Sequence, residues 1–305
     1  MSEKNLHHGA IGFLWLILSL ICFFFFSHAS RALASPTVDS ITISDSSGGA
    51  STGDINLVDN STKEIYIHGG FSDLDGCDDV QNGGDVELVL YRSGVVEAES
   101  CTTDPLNCYK ASITGGCSIS NCTTGLETNA NYECNVSLQY YADATDAGTY
   151  ATDVWTAYIR ATDSGAATGQ STSNTEVNSL VGIQVGGGIN YGALELGATS
   201  TEDASVIVQN TGNRSLDINL SGEDMSCDVG TIDVSQQRFS VTSTVVYADM
   251  TALATSTQRA QLSLAKQLSA GVYSTSSLNF KLVMPTSSLA GVCSGLVNFN
   301  ALVDN

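Results

Sequence analysis

The chain has 305 residues, 32 acidic and 11 basic, for a net charge of −21. That balance repels nucleic acid and anionic membrane surfaces, so neither is expected as a partner. An apolar content of 42% with only 14% charged residues argues against wholesale disorder.

In chain order, Lys4 lies in a short polar lead, and Ala10 to Phe26 is an uninterrupted apolar run of seventeen residues. Ala32-Leu33-Ala34 then places small residues where a signal peptidase reads. The pattern predicts a signal peptide over 1–34 with cleavage after Ala34. The rival is an uncleaved anchor, because seventeen residues is the lower limit for a ~30 Å hydrocarbon core. No second run of that length follows, so the membrane is expected as a partner only through an uncleaved signal.

Nine cysteines agree with export. Cys22 falls inside the signal, and the remainder is an even set: Cys77, Cys101, Cys108, Cys117, Cys122, Cys134, Cys227 and Cys293. An even count in an exported chain reads as a disulfide framework. A zinc site would need paired C-x2-C spacings, whereas the close spacings here are C-x6-C and C-x4-C without histidine.

Beyond the signal, the apolar positions recur with period two, which gives a strand one dry and one wet face. Val86, Leu88 and Leu90 follow this pattern, then Tyr132 to Tyr140 and Trp155 to Ala161. Val181-Ile183-Val185 ends at "VGGGINYG", where three glycines loosen the backbone and mark a boundary. Leu216, Ile218 and Leu220 resume the alternation, as do Leu278 to Met284, and "VNFNALVDN" reads as a final strand. Ser256 to Leu268 has helix-forming composition, yet Leu262 and Leu264 also fit a strand, and both readings stay open. With Gly, Asn, Asp and Ser clusters between the segments, the expected fold is all-β. It consists of two antiparallel immunoglobulin-like β-sandwiches in tandem, over 35–185 and 186–305.

Six cysteines fall in the first domain, where they allow fifteen connectivities that sequence does not choose between. The second domain has one internal pairing, Cys227 with Cys293. Closing that loop is worth on the order of 4 kcal/mol in the chain-entropy model.

"GGFSDLDGCDDVQNGGD", Gly69 to Asp85, is the densest acidic stretch. Calcium takes six to eight oxygens, and an Asp-x-Asp-Gly turn supplies carboxylates with a glycine to bend the chain. The twelve-residue helix-loop-helix pattern fails, since counting from Gly76 puts Phe71 at its first ligand position and Asn82 where a bidentate glutamate belongs. Any site must join separate loops, with Asp73, Asp75 and Asp78 or Asp79 on one and Asp163 on another. The alternative is a solvated turn, which is built from the same residues.

Two resemblances rest on these motifs. Asp73, Asp75 and Gly76 early in the first domain, with Thr162 and Asp163 near its last strands, resemble microbial surface modules of the polycystic-kidney-disease and cadherin-like kinds. The Trp-x-Phe-Gly-Asp-Gly core motif of the former is missing. In the second domain, "VIVQNTGNRSLDINLSG" and "SAGVYSTSSLNFKLVMP" resemble the Asn-Thr-Gly-Asn turn and later hairpin of cell-adhesion-related microbial β-sandwiches. The resemblances imply immunoglobulin-like folds at a cell surface, and fold alone assigns no activity.

Catalysis has little to work with. After cleavage His68 is the one histidine left as a base, and no Gly-x-Ser-x-Gly elbow accompanies it. Paired carboxylates leave a glycoside hydrolase as a third reading. For a carbohydrate-binding module, the second reading, the candidate stacking residues are Tyr140, Tyr141 and Tyr150. Trp155 lies on an alternating strand and reads as core. Five Asn-x-Ser/Thr sequons occur, at Asn60, Asn121, Asn135, Asn213 and Asn219. The first reading is a secreted or cell-surface protein, non-catalytic and possessing an adhesion or envelope role. Its partner would be a protein or glycan, or a second copy meeting it at a strand edge.

Overall fold

The structure, a computed structural model, describes residues 34–95 and 100–304. The signal segment through Leu33, with Cys22, lies outside the described residues.

The first body is a two-layer antiparallel sandwich. One layer runs β1 (Thr37–Val38), β3 (Thr62–Ser72), β7 (Asn129–Gln139), β6 (Cys117–Ser120), with β2 (Thr42–Ser44) also on β3. The other runs β5 (Cys108–Ser112), β4 (Asp85–Arg92), β8 (Trp155–Thr162), β9 (Thr168–Thr175). The alternation seen in the sequence sets which face turns inward. From β3 and β7 come Ile65, Ile67, Phe71, Tyr132, Cys134, Val136 and Leu138, and from β4 and β8 come Leu88, Leu90, Trp155, Ala157 and Ile159, all in one buried cluster. The outer face of β4 and β8 is also covered, because Val89 and Tyr158 pack beneath Cys101 and Cys108.

The second body holds a five-stranded sheet of β10 (Ile183–Gly186), β11 (Ala204–Asn210), β18 (Thr275–Leu282), β15 (Gln237–Ser240) and β16 (Thr251–Ala252). Facing it is a three-stranded sheet of β17 (Gln258–Arg259), β12 (Leu216–Gly222) and β20 (Val297–Val303). A small third sheet joins β14 (Thr231–Ile232), β13 (Met225–Val229) and β19 (Ala290–Ser294). Val206, Val208, Ile218, Leu220, Leu278 and Phe280 form the core between the two larger sheets.

Two expectations change here. Ile183 to Val185 was read as the last strand of the first domain, but it pairs with β11, from Ile183↔Asn210 to Gly186↔Ile207, and so belongs to the second body. The triple glycine follows a first strand of the new sheet rather than separating two folds. The open segment Ser256 to Leu268 is neither helix nor continuous strand. Its backbone bonds β12 piecemeal, Ala260 N to Ile218 O at 2.8 Å and Leu264 N to Leu216 O at 2.7 Å. Left-handed residues at Gln261 (φ 53°) and Ser263 (φ 47°) break the ladder between those points. Asp217 explains the detour, since its buried carboxylate takes Leu262 N at 2.7 Å and pairs with Arg259.

Four disulfides are present. Cys117–Cys134 and Cys227–Cys293 join residues directly opposite on paired strands. Cys77–Cys122 and Cys101–Cys108 staple loops.

The two bodies meet at a polar joint. The Asn-Thr-Gly-Asn turn is fully buried, with Asn213 Oδ1 accepting from Leu180 N at 2.7 Å and Asn210 Nδ2 donating to Ala265 O at 3.0 Å. Beside it, Asp143 of the first body accepts from Arg92 Nε at 3.0 Å with one oxygen and from Lys266 of the second body with the other. The Asp143 and Arg92 side chains are 3% and 8% exposed, so this is a buried charge cluster whose anion is shared across the joint.

Candidate metal centre

The acidic stretch folds into a tight cap over one end of the first sandwich. Asp73 follows β3, and Gly76 starts a single helical turn, α1 (Cys77–Gln81). Gly76 is at φ +110°, and a Cβ there would strike the carbonyl oxygen of Gly125. Cys77 is tied to Cys122, which pins α1 to the loop before β7. Gly84 lets the chain press against β8, because any Cβ at that position would collide with Thr162 O. The press brings Asp79, on α1, up to Asp163 at the end of β8.

Three of the five predicted ligands converge. One carboxylate oxygen each of Asp73, Asp79 and Asp163 lie within 4.8 Å of one another. One oxygen of each is engaged: Asp73 Oδ1 accepts Asp75 N at 2.9 Å, Asp163 Oδ1 accepts Ala167 N at 2.7 Å, and Asp79 Oδ1 accepts the Ser164 hydroxyl. The Oδ2 atoms of all three are buried and have no hydrogen-bond partner. Asp73 and Asp163 are 1% and 2% exposed. Buried unpartnered carboxylate oxygens are costly, and three facing one another compound the cost. Burial, then the charges of Asp79, Asp75 and Asp163, push the Asp73 carboxyl above its usual range, against the Asp75 N–H that lowers it. Hard oxygen donors from two sheets and a helix are the donor type that calcium takes, with water or backbone oxygens completing the shell.

Asp75 and Asp78 stand outside this triad. Asp75 serves through its backbone N–H and receives Ala34 N on its carboxylate, and Asp78 takes the Asn82 amide. Both border an acidic hollow of about 460 Å³ beside the triad, rimmed by Leu126, which is 81% exposed. Cys77, Cys122 and Glu127 also cluster, but both sulfurs are spent in the disulfide.

The stacking tyrosines need correction. Tyr140 and Tyr141 are 5% and 1% exposed and meet edge to face, 5.0 Å between centroids. They are buried by the joint, where Tyr140 hydrogen-bonds Gln267 and Lys266 reaches Tyr141 O at 3.2 Å. Only Tyr150 of the three is half-exposed, and one face of its ring is covered by Arg92 at 3.7 Å. Trp155 is fully buried, its Nε1 donating to Asp143 O at 2.9 Å. His68 Nε2 lies 2.9 Å from Gly49 O, opposite Glu133 on the neighbouring strand. Of the sequons, Asn213 is buried with its amide oxygen and nitrogen each hydrogen-bonded, whereas Asn60 and Asn121 are exposed.

The joint around Asp143 and Lys266 was not anticipated. No spacing signals it, since its partners lie 123 residues apart.

No protein-family profile matches the chain, and no curated protein matches it in sequence. The resemblances above therefore rest on turn chemistry and strand alternation. Among solved structures, the C-terminal domain of the Streptococcus pyogenes antigen I/II-family protein AspA is similar at 12% identity and a TM-score of 0.28, over 90% of this chain and 98% of that one. The corresponding domain of Streptococcus agalactiae BspA gives 10% and 0.25, over 88% and 97%. A chaperone and tip-adhesin complex of CFA/I fimbriae gives 11% and 0.28, over 90% and 92%. At these TM-scores, 0.25 to 0.28, the likenesses carry no weight for function.

Proposed function

We propose that this is an exported, non-catalytic surface or secreted protein with an adhesion or envelope role, whose first sandwich is stiffened by calcium. The observation that carries the calcium reading is the convergence of the Asp73, Asp79 and Asp163 carboxylates, each of which holds a buried unpartnered oxygen. An ion there would tie the end of β3, α1 and the end of β8, and so link the two sheets of the sandwich. Four disulfides and an acidic, soluble surface suit a compartment that is oxidising and rich in calcium. Because Asp73 and Asp163 are buried, an ion held there would act structurally rather than bridge to a ligand.

Calorimetric titration of the secreted protein with calcium tests this, beside an Asp73→Asn, Asp79→Asn double variant. Binding below millimolar that vanishes in the variant supports the reading. No heat and no rise in Tm at millimolar calcium, or binding that survives both substitutions, ends it. The partner is approached separately: a glycan array for a carbohydrate, and negative-stain imaging for self-assembly at strand edges.

A further inference from the structure

Between the two bodies lies a second, chemically different site. A cleft of about 290 Å³ is lined by Ala147 and Tyr150 of the first body and by Arg214, Ala265, Lys266 and Leu268 of the second. Clefts at domain junctions with an apolar floor and a few polar groups are the usual place for small ligands.

The charge arrangement selects the ligand. Among the described residues, ion pairs within 4 Å occupy Lys63, Arg92, Arg160, Arg259, Lys266 and Lys281. Arg238 has no acid but spends its guanidinium on the carbonyls of Tyr247, Ala248 and Met250 and on the Tyr247 ring. Lys110 is exposed on β5. Arg214 is left half-buried in the cleft, with one protein hydrogen bond, Nη1 to Ser179 Oγ at 2.9 Å. Its guanidinium rests against the backbone of Gly148, where φ is +81° and a Cβ would displace it. The acids nearby have partners of their own: Asp146 takes the Ser179 N–H and hydroxyl at 2.8 and 2.7 Å, and Asp304, which also lines the cleft, takes Arg259 on Oδ1 at 2.7 Å.

In a chain with nearly three acids for each base, Arg214 is thus, among the described residues, a guanidinium in a concave site with no carboxylate within ion-pair distance. We propose that the cleft binds a sugar carrying a carboxylate, which Arg214 takes through its free nitrogens while the sugar ring lies between Tyr150 and Leu268. A guanidinium matches a carboxylate in two parallel hydrogen bonds, and the cleft volume suits one sugar ring. This site is independent of the calcium reading, sharing no residue with it.

The test uses the full secreted protein and ligand-observed NMR, with glucuronic acid and N-acetylneuraminic acid as probes and glucose and acetate as controls. Expected is about millimolar binding of at least one acidic sugar that weakens with salt, with glucose and acetate at least tenfold weaker. Arg214→Gln should weaken it by about tenfold or more. Leu268→Trp, which fills the cleft from an exposed position and removes no hydrogen bond, should abolish it with Tm unchanged. No binding of either acidic sugar, acetate binding as well as the sugars, or binding indifferent to both variants would overturn the proposal.

Discussion

Asp163→Asn separates a cation site from a solvated turn, because its effect changes sign with calcium. Without an ion, three carboxylates within 4.8 Å repel one another by about 3.5 kcal/mol per pair at an effective dielectric near 20. Burial, together with this repulsion, raises the Asp73 carboxyl above its usual range, against the Asp75 N–H that lowers it. Asparagine at 163 keeps the oxygen that accepts Ala167 N and removes one charge. The calcium-free variant should therefore be more stable than wild type, by about 1–2 kcal/mol, a rise in Tm of roughly 2–8 °C. With calcium at a hundred times its dissociation constant the wild type gains about 2.7 kcal/mol, and the variant, missing a ligand, gains little. The pH dependence reverses in the same way. A carboxyl whose folded value is raised makes calcium-free protein lose stability as pH rises from about 4 through that value, whereas loaded protein loses it as protons displace the ion on acidification. Differential scanning calorimetry in chelator and in calcium reads both. A variant that is less stable than wild type in chelator, with an unchanged calcium response, would refute the reasoning.

Replacing Cys227 and Cys293 together by serine should lower the stability of the second body by about 4 kcal/mol on loop-closure grounds, since 66 residues separate the pair, while leaving the calcium titration intact. Peptide mapping without reductant checks the bond itself. At Asp217, burial pushes the carboxyl up, but Arg259 and the N–H groups of Leu262 and Ile218 more than reverse this and hold it below its usual range. Its contribution is present above the unfolded value near 4 and fades as pH falls through the lower folded one. Asp217→Asn should thus lower Tm at pH 7 by a few degrees and much less near pH 2, as thermal melts would show.

Local pattern carried most of what the sequence revealed. The strand faces of β4, β7, β8, β12 and β18 were legible because a buried sheet face imposes period two on neighbouring residues. That Asp73 and Asp163 come together was legible because each sits at a strand end beside a Ser, where loops meet. Which of Asp75, Asp78 and Asp79 faces Asp163 was not, since one helical turn at α1 decides it and five residues leave no periodicity to read. The tyrosines misled for a related reason: alternation tells which side of a strand a residue occupies, but not that a second body covers the outside. The Asn-Thr-Gly-Asn turn was likewise composed as an exposed loop and is buried, the side-chain amides of its two asparagines answered by backbone from both bodies.

Asp143 bears on how this protein can be cut and recombined. Tandem sandwiches are usually treated as beads that can be expressed singly or swapped. Here the first bead alone would keep a carboxylate shielded by its own fold while losing the ammonium of Lys266, and it would uncover Tyr140 and Tyr141 as well. The second alone would expose the Leu264–Gln267 segment that plugs the joint. Engineering is therefore best done on the pair, since a truncation at the glycine-rich stretch would cut Ile183–Gly186 away from the sheet it pairs with.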